Sequence, residues 1–231
     1  MRTLMVITLA GLVLIFNNCK KEHQDPPLVI TPTVNPVSYS VMAYLITPKD
    51  KSFRADYYRA GKACIEELQK WYQSQMANNK TFRTNPVVLD TLTGLHDATW
   101  FNNFNGDSIS GTGRSYAYYN SRYELQQLLG SNYDSVHHVY FAFVAADFQE
   151  ETIKGSFGVE GSTDLDGLLG NSPDSWKGLV GHAMGHAFGL ADNYPASSTS
   201  LMSTGLYNYP NCVLLQADKD SLALTPFFQQ P

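Results

Sequence analysis

Gly181-His182-Ala183-Met184-Gly185-His186-Ala187-Phe188-Gly189-Leu190-Ala191-Asp192 is the stretch on which the reading of this chain turns. His182 and His186 stand four residues apart, so on a helix their imidazoles project from one face, one turn apart. That spacing lets two nitrogens reach a single Zn²⁺ at about 2.0–2.1 Å. A third ligand has to come from beyond the helix. Gly189 permits the sharp bend, and Asp192 can then swing back to the metal. Gly181 and Gly185 each cost about 1 kcal/mol relative to Ala inside a helix, which predicts that another backbone passes close by. A His pair at this spacing arises by chance easily enough in a chain with 6 His, and two surface histidines would explain it. The composite with Gly189 and Asp192 is far more specific.

The surrounding text supplies the scaffold. Ser172 is a natural N-cap, with Pro173 at the first helical position, where its missing N–H costs nothing. This predicts a helix running to about Phe188, with Gly189 as its left-handed stop. Upstream, Ala60, Ala63, Cys64, Leu68, Trp71 and Tyr72 form an apolar stripe at three- and four-residue spacing, predicting a helix from Ala55 to about Ala77. Val41–Ile46, Val87–Leu89 and Val136–Val144 read as strands, the last β-branched and aromatic throughout. Gly155–Gly161 reads as a shorter, exposed strand, Ser121–Leu129 as a short helix and Leu215–Leu224 as a last helix. A long Gly/Asn/Ser-rich stretch follows Leu89 and runs through Gly113. Strands and helices mixed in this order predict an α/β or α+β domain.

The chain has 231 residues, 43% hydrophobic and 16% charged, which suits one domain with a sizeable core from residue 41 to 231. A net charge of −5 with scattered signs argues against a nucleic-acid surface. At the N-terminus, Arg2 and the apolar run Leu4–Phe16 read as a signal peptide over residues 1–18, too short to span a bilayer comfortably. Cys19 directly after it resembles a bacterial lipobox, although Asn18 departs from the usual small residue. The following Lys20-Lys21-Glu22 is similar to Bacteroidetes lipoproteins. The resemblance implies lipidation at Cys19 and attachment to the outer membrane of the cell envelope, on its periplasmic or surface side. The alternative is a signal peptide with a chance Cys. Residues 19–40 are Pro-rich and polar, a tether rather than core. Cys64 and Cys212 then remain, either as one disulfide or as two thiols.

His-x-x-x-His-x-x-Gly-x-x-Asp, followed by Ser200-Leu201-Met202-Ser203, resembles the metzincin zinc peptidases. It is similar to the snapalysin-like minority whose third ligand is Asp. The resemblance implies a twisted, mostly parallel sheet with an antiparallel edge strand, an active-site helix and a closing C-terminal helix. Met202 would form the hydrophobic floor of a Met-turn. Phe157 and Gly158 would bind extended peptide by β-addition, and the segment carrying Tyr207 and Tyr209 would wall a substrate pocket. Zn²⁺ on His182, His186 and Asp192 would act on peptide or protein substrates, the chain being a monomer. The match is tight over 181–203 and architectural elsewhere.

One position breaks the pattern. The family's general base is the Glu after the first His, and here it is Ala183. A positioned base contributes typically 10²–10⁴ in rate, and alanine carries no proton. Ala183 thus implies an engineered inactivation, a natural pseudopeptidase acting as a surface module that binds peptides without cutting, or a substitute base. Glu160 and Asp164 are the acids in the neighbouring segment. A structural zinc domain without ligand is a further reading. His137 and His138 are adjacent in a strand, face opposite sides of the sheet and form no shared site. His96 reads as a loop residue.

Overall fold

The computed structural model describes residues 38–104, 116–148, 155–193 and 198–229. The chain divides into two units, Met1–Pro36 and Val37–Pro231, and every described residue belongs to the second. The expected signal peptide, Cys19 and almost all of the expected tether therefore lie outside the described residues. Among the described residues no helix is long and apolar enough to cross a membrane.

Element order is β1 (Ser40–Thr47), α1 (Ala55–Gln75), β2 (Thr81–Phe82), β3 (Asp90–Thr93), α2 (Tyr116–Leu129), β4 (His138–Val144), β5 (Phe157–Glu160), α3 (Ser162–Leu169), α4 (Pro173–Ala187), α5 (Gln216–Leu224) and β6 (Phe228–Gln229). The main sheet has the order β3-β1-β4-β5, and all three pairings are parallel. In register, Leu45 faces Phe143 across β1–β4, and Phe143 faces Glu160 across β4–β5. Parallel strands need crossovers, which cover both faces of the sheet. β4 accordingly alternates between two cores. Val139, Phe141 and Phe143 join Val41, Leu45, Ile65, Leu68 and Met184 on one face. Tyr140, Ala142 and Val144 join Ile46, Tyr118, Leu125 and Phe157 on the other.

The mixed α/β class stands as expected, with two corrections, the first at β5. That strand was expected to be exposed, and the sheet to carry an antiparallel edge strand, which is not found among the described residues. β5 runs parallel to β4, and all four of its residues are buried. The cause is packing on both sides: Phe157 sits edge-on against Tyr118 of α2, while Gly158 lies under α4 near the Ala183 carbonyl. A second correction concerns Val87–Leu89. The strand is the following Asp90–Thr93, and Leu89 is instead a fully buried core residue.

Candidate metal centre

α4 begins where the sequence places it, after Ser172 with Pro173 in the first turn and Asp174 beside the positive end of the helix dipole. It ends at Ala187, and two residues on, Gly189 turns the chain with a φ of +93°, a left-handed conformation costly for a residue with a Cβ. The Gly189 and Leu190 amides donate back to the His186 and Gly185 carbonyls at 2.8 and 2.9 Å, closing the helix and turning the chain. The turn returns Asp192 to the histidine face.

There, three donor atoms converge. His182 Nε2 and His186 Nε2 are 3.0 Å apart, and Asp192 Oδ1 lies 3.4 and 3.3 Å from them. His182 Nδ1 is 2.9 Å from the Leu201 carbonyl and His186 Nδ1 is 3.0 Å from the Leu190 carbonyl. A carbonyl only accepts, so in both neutral rings the proton sits on Nδ1 and donates outward. Both Nε2 atoms then carry bare lone pairs. Two lone pairs and a carboxylate oxygen at this separation repel unless a cation lies among them. Bonds of about 2.0–2.1 Å in a tetrahedral shell place ligand atoms about 3.3 Å apart, which the observed triangle matches. Hydrogen bonding of the outer ring nitrogen to a carbonyl is the usual way a ligating histidine is oriented.

The two imidazoles are largely buried and Asp192 is half exposed (side chains 14%, 8% and 49%), so the triangle opens to solvent on the aspartate side. Burial holds the His182 imidazole below its ordinary pKa. The neighbouring His186 adds to that effect, whereas the Leu201 carbonyl and Asp192 oppose it. The neutral ring this favours is the form that ligates metal.

Met202 is fully buried beneath this turn of helix. Its sulfur packs so closely that a Cβ on Gly185 would lie 2.4 Å from it. Gly181 and Gly185 were expected to admit another backbone. Their neighbours are instead side chains, Leu68 and Leu201 at the first, Met202 and Tyr72 at the second. The backbone approach occurs one turn earlier at Gly178, where a Cβ would stand 1.9 Å from the Leu206 carbonyl oxygen.

The other expected residues have the following surroundings. Ala183 is 1% exposed. Glu160, weighed with Asp164 as a substitute base, is 2% exposed. The Gly155 amide donates to the His186 carbonyl, and Glu160 ends β5 five residues further along the chain, about 16 Å of extended strand from Gly155. The two acids instead hydrogen-bond to each other. Phe157 and Gly158 do not present side chains to solvent. Tyr209 is buried, its ring beside Trp71 and its hydroxyl 3.3 Å from Glu67 Oε1, whereas Tyr207 is 62% exposed. Cys64 and Cys212 are both buried free thiols. His137 and His138 pair separately, with Asp134 and Ser40.

Sequence reasoning missed the groups that hold the ligands in place. Asn193, directly after Asp192, donates its amide N–H to the Met202 carbonyl (2.7 Å). Its side-chain Nδ2 donates to Ser200 Oγ (3.0 Å) and Asp218 Oδ2 (2.9 Å). Tyr72 OH donates to the Gly181 carbonyl from within the core (2.9 Å). The residue types hint at polar roles, but partners 25 and 109 positions apart leave no local signal.

No family model and no curated protein matches the chain. Among solved structures it is similar to catalytically inactive OgpA from Akkermansia muciniphila in complex with an O-glycopeptide (glycodrosocin) substrate. The TM-score is 0.63 at 17% identity, over 84% of this chain and 62% of that one. Wild-type OgpA gives a TM-score of 0.61 at the same identity and coverage. Archaemetzincin from Methanopyrus kandleri aligns at 10% identity with a TM-score of 0.44, over 79% of this chain and 94% of that one. The chain thus spans less than two thirds of the length of OgpA. With its parallel sheet, its two covering layers and a His/His/Asp cluster at the end of α4, the chain has a mixed α/β fold shared with OgpA.

Proposed function

We propose that this chain is a zinc-dependent metallopeptidase scaffold of the metzincin type, holding Zn²⁺ on His182, His186 and Asp192 and impaired in hydrolysis by Ala183. The supporting observation is the convergence of two Nε2 lone pairs and one carboxylate oxygen within 3.4 Å, with both Nδ1 protons committed outward. When bound, the metal supplies Lewis acidity, polarising a substrate carbonyl and lowering the pKa of coordinated water to about 7. The chain's own residues orient the two rings through Leu201 and Leu190, close the floor with Met202 and leave the aspartate side open for an extended peptide. The exposed Tyr207 is assigned to the wall of the substrate pocket, as part of this reading. Nothing at position 183 can accept a proton, so the step that needs a general base lacks one.

The same observation favours a second reading, a surface module that holds peptide without cutting it. The ligand in either case is an extended peptide, and O-glycopeptides belong in the first panel because OgpA was captured with one. Cys19 lipidation, export by the N-terminal segment and a monomeric, outer-membrane-anchored envelope protein complete the proposal.

Ala183→Glu separates the readings. Elemental analysis should find one zinc per chain in parent and variant, lost with Asp192→Ala. Zinc-dependent cleavage of casein or a glycopeptide library by Ala183→Glu, at least 10²-fold above the parent, supports the impaired peptidase. Peptide binding with continued silence in the zinc-loaded variant supports the module. A parent chain that takes up no metal removes both.

A further inference from the structure

Asp192 is a weak ligand on its own terms, for its side chain is half exposed and it sits past the end of the helix that fixes the two histidines. A carboxylate in that position has to be ordered by something other than packing. The adjacent residue supplies the order. Asn193 is held on both its main chain and its side chain by three acceptors: the Met202 carbonyl, Ser200 Oγ and Asp218 Oδ2.

These acceptors are themselves fixed. Ser200 is fully buried, and its Oγ also accepts the Met202 amide at 3.1 Å. Its segment is tied to the following loop by Leu201 N–H to Val213 O and Val213 N–H to Thr199 O, at 2.9 and 3.0 Å. Asp218 is 5% exposed in the first turn of α5, and the same Oδ2 accepts the Leu215 amide at 3.0 Å. A buried carboxylate that caps its own helix has a defined place, and its bond to Asn193 is charge-assisted. The Leu201 carbonyl that orients His182 lies between Ser200 and Met202, within the same tied segment.

We propose that Asn193 and Asp218 are positioning residues of the third metal ligand, coupling helix α5 to the metal centre so that Asp192 is presented to the histidines in advance of metal binding. The inference rests on the His182/His186/Asp192 metal reading. Outer groups of this kind typically change metal affinity 10–100-fold when removed.

The test uses the full chain, with Zn²⁺ affinity measured by chelator competition and Co²⁺ loading followed by visible absorption. Asn193→Ala should weaken Zn²⁺ binding 10–100-fold with one metal still bound, and should move the Co²⁺ band as Asp192 leaves its place. Asp218→Asn keeps an acceptor for Asn193 and Leu215 but loses the charge, so it should weaken binding less, in the same direction. If Asn193→Ala does not fold, Asp218→Asn decides alone. A merely structural role would lower the melting temperature of the metal-free protein and leave Zn²⁺ affinity within twofold and the Co²⁺ band in place; that result overturns the inference while the metal site stands. A parent chain with no affinity for either metal overturns the metal reading and this inference together.

Discussion

The three glycines of α4 should respond to alanine in an order set by what each would strike. Alanine favours a helix by about 1 kcal/mol over glycine, so each substitution starts with that gain. At Gly178 the new Cβ would lie 1.9 Å from the Leu206 carbonyl oxygen, 2.9 Å from its carbon and 3.1 Å from Tyr209 Cβ. A carbon–oxygen contact settles at about 3.3–3.6 Å, so the 204–209 segment would have to retreat by roughly 1.4 Å. Two main-chain elements meet here, and neither can swing aside as a side chain can. Overpacking of this sort costs about 1–3 kcal/mol. Taking its upper end against the helical gain leaves about 2 kcal/mol of net loss, or roughly 4–8 °C in melting temperature for a domain of this size. At Gly185 the obstacle is Met202 Sδ at 2.4 Å, flexible but confined beneath the histidines, and the net loss should be about 1 kcal/mol. At Gly181 it is the Leu68 Cδ2 methyl at 2.9 Å, and the change should be close to neutral. Urea unfolding of the three single variants measures the order directly. A Gly178→Ala protein as stable as the parent would refute the close main-chain approach.

Three further outcomes follow from buried groups. Burial raises the Asp164 pKa above the ordinary carboxylate value, with its hydrogen bonds pulling the other way. The folded state therefore binds this proton more tightly than the unfolded state, and stability falls as pH rises through the window between the two pKa values. Asp164→Asn should gain stability relative to the parent at pH 7 and lose that advantage at pH 3, as read by paired urea titrations. Desolvation raises the Cys64 thiol far above its usual range and pushes Cys212 up to about 11. Both should resist iodoacetamide in the native protein at pH 8 and react on unfolding, as followed by mass spectrometry. Glu124, with no exposed side-chain surface, accepts the Leu95 and His96 amides and pairs with His96 Nδ1 at 2.7 Å. Glu124→Ala should destabilise by about 3 kcal/mol, at about 1 kcal/mol per lost bond, while zinc content stays at the parent level.

The elements with strong periodicity were legible. The helices expected from Ala55, near Ser172–Pro173 and from Leu215 are α1, α4 and α5, within two residues at most ends. The aromatic run ending at Val144 is β4, the central strand buried on both faces, where continuous apolar sequence is the rule. β3 was misplaced because it is an exposed outer strand with the sequence Asp90-Thr91-Leu92-Thr93, while the apolar residues before it include the core plug Leu89. α3 went unread because its eight residues contain Gly167, although Asp164 accepting the Gly161 amide is a local start signal. At the site, the convergence of His182, His186 and Asp192 was readable because a helix and a glycine turn lie within eleven residues of one another. The Asn193–Asp218 link was not, since it depends on where α5 docks.

The hydrogen bond from Gly155 to the His186 carbonyl also fixes which rim of the sheet carries the chemistry. Most parallel α/β proteins gather their reactive groups where the strands finish. Here His182, His186 and Asp192 gather where β5 starts. The finishing rim holds instead an open hollow of about 520 Å³ bordered by Lys51, Arg54, Thr99 and Asp147. Its loops, at 48–54 and 94–104, are thus insulated from the metal by the length of a strand. Epitope tags or fluorophores grafted there should leave metal uptake untouched, which makes that rim the natural handle for immobilising the protein.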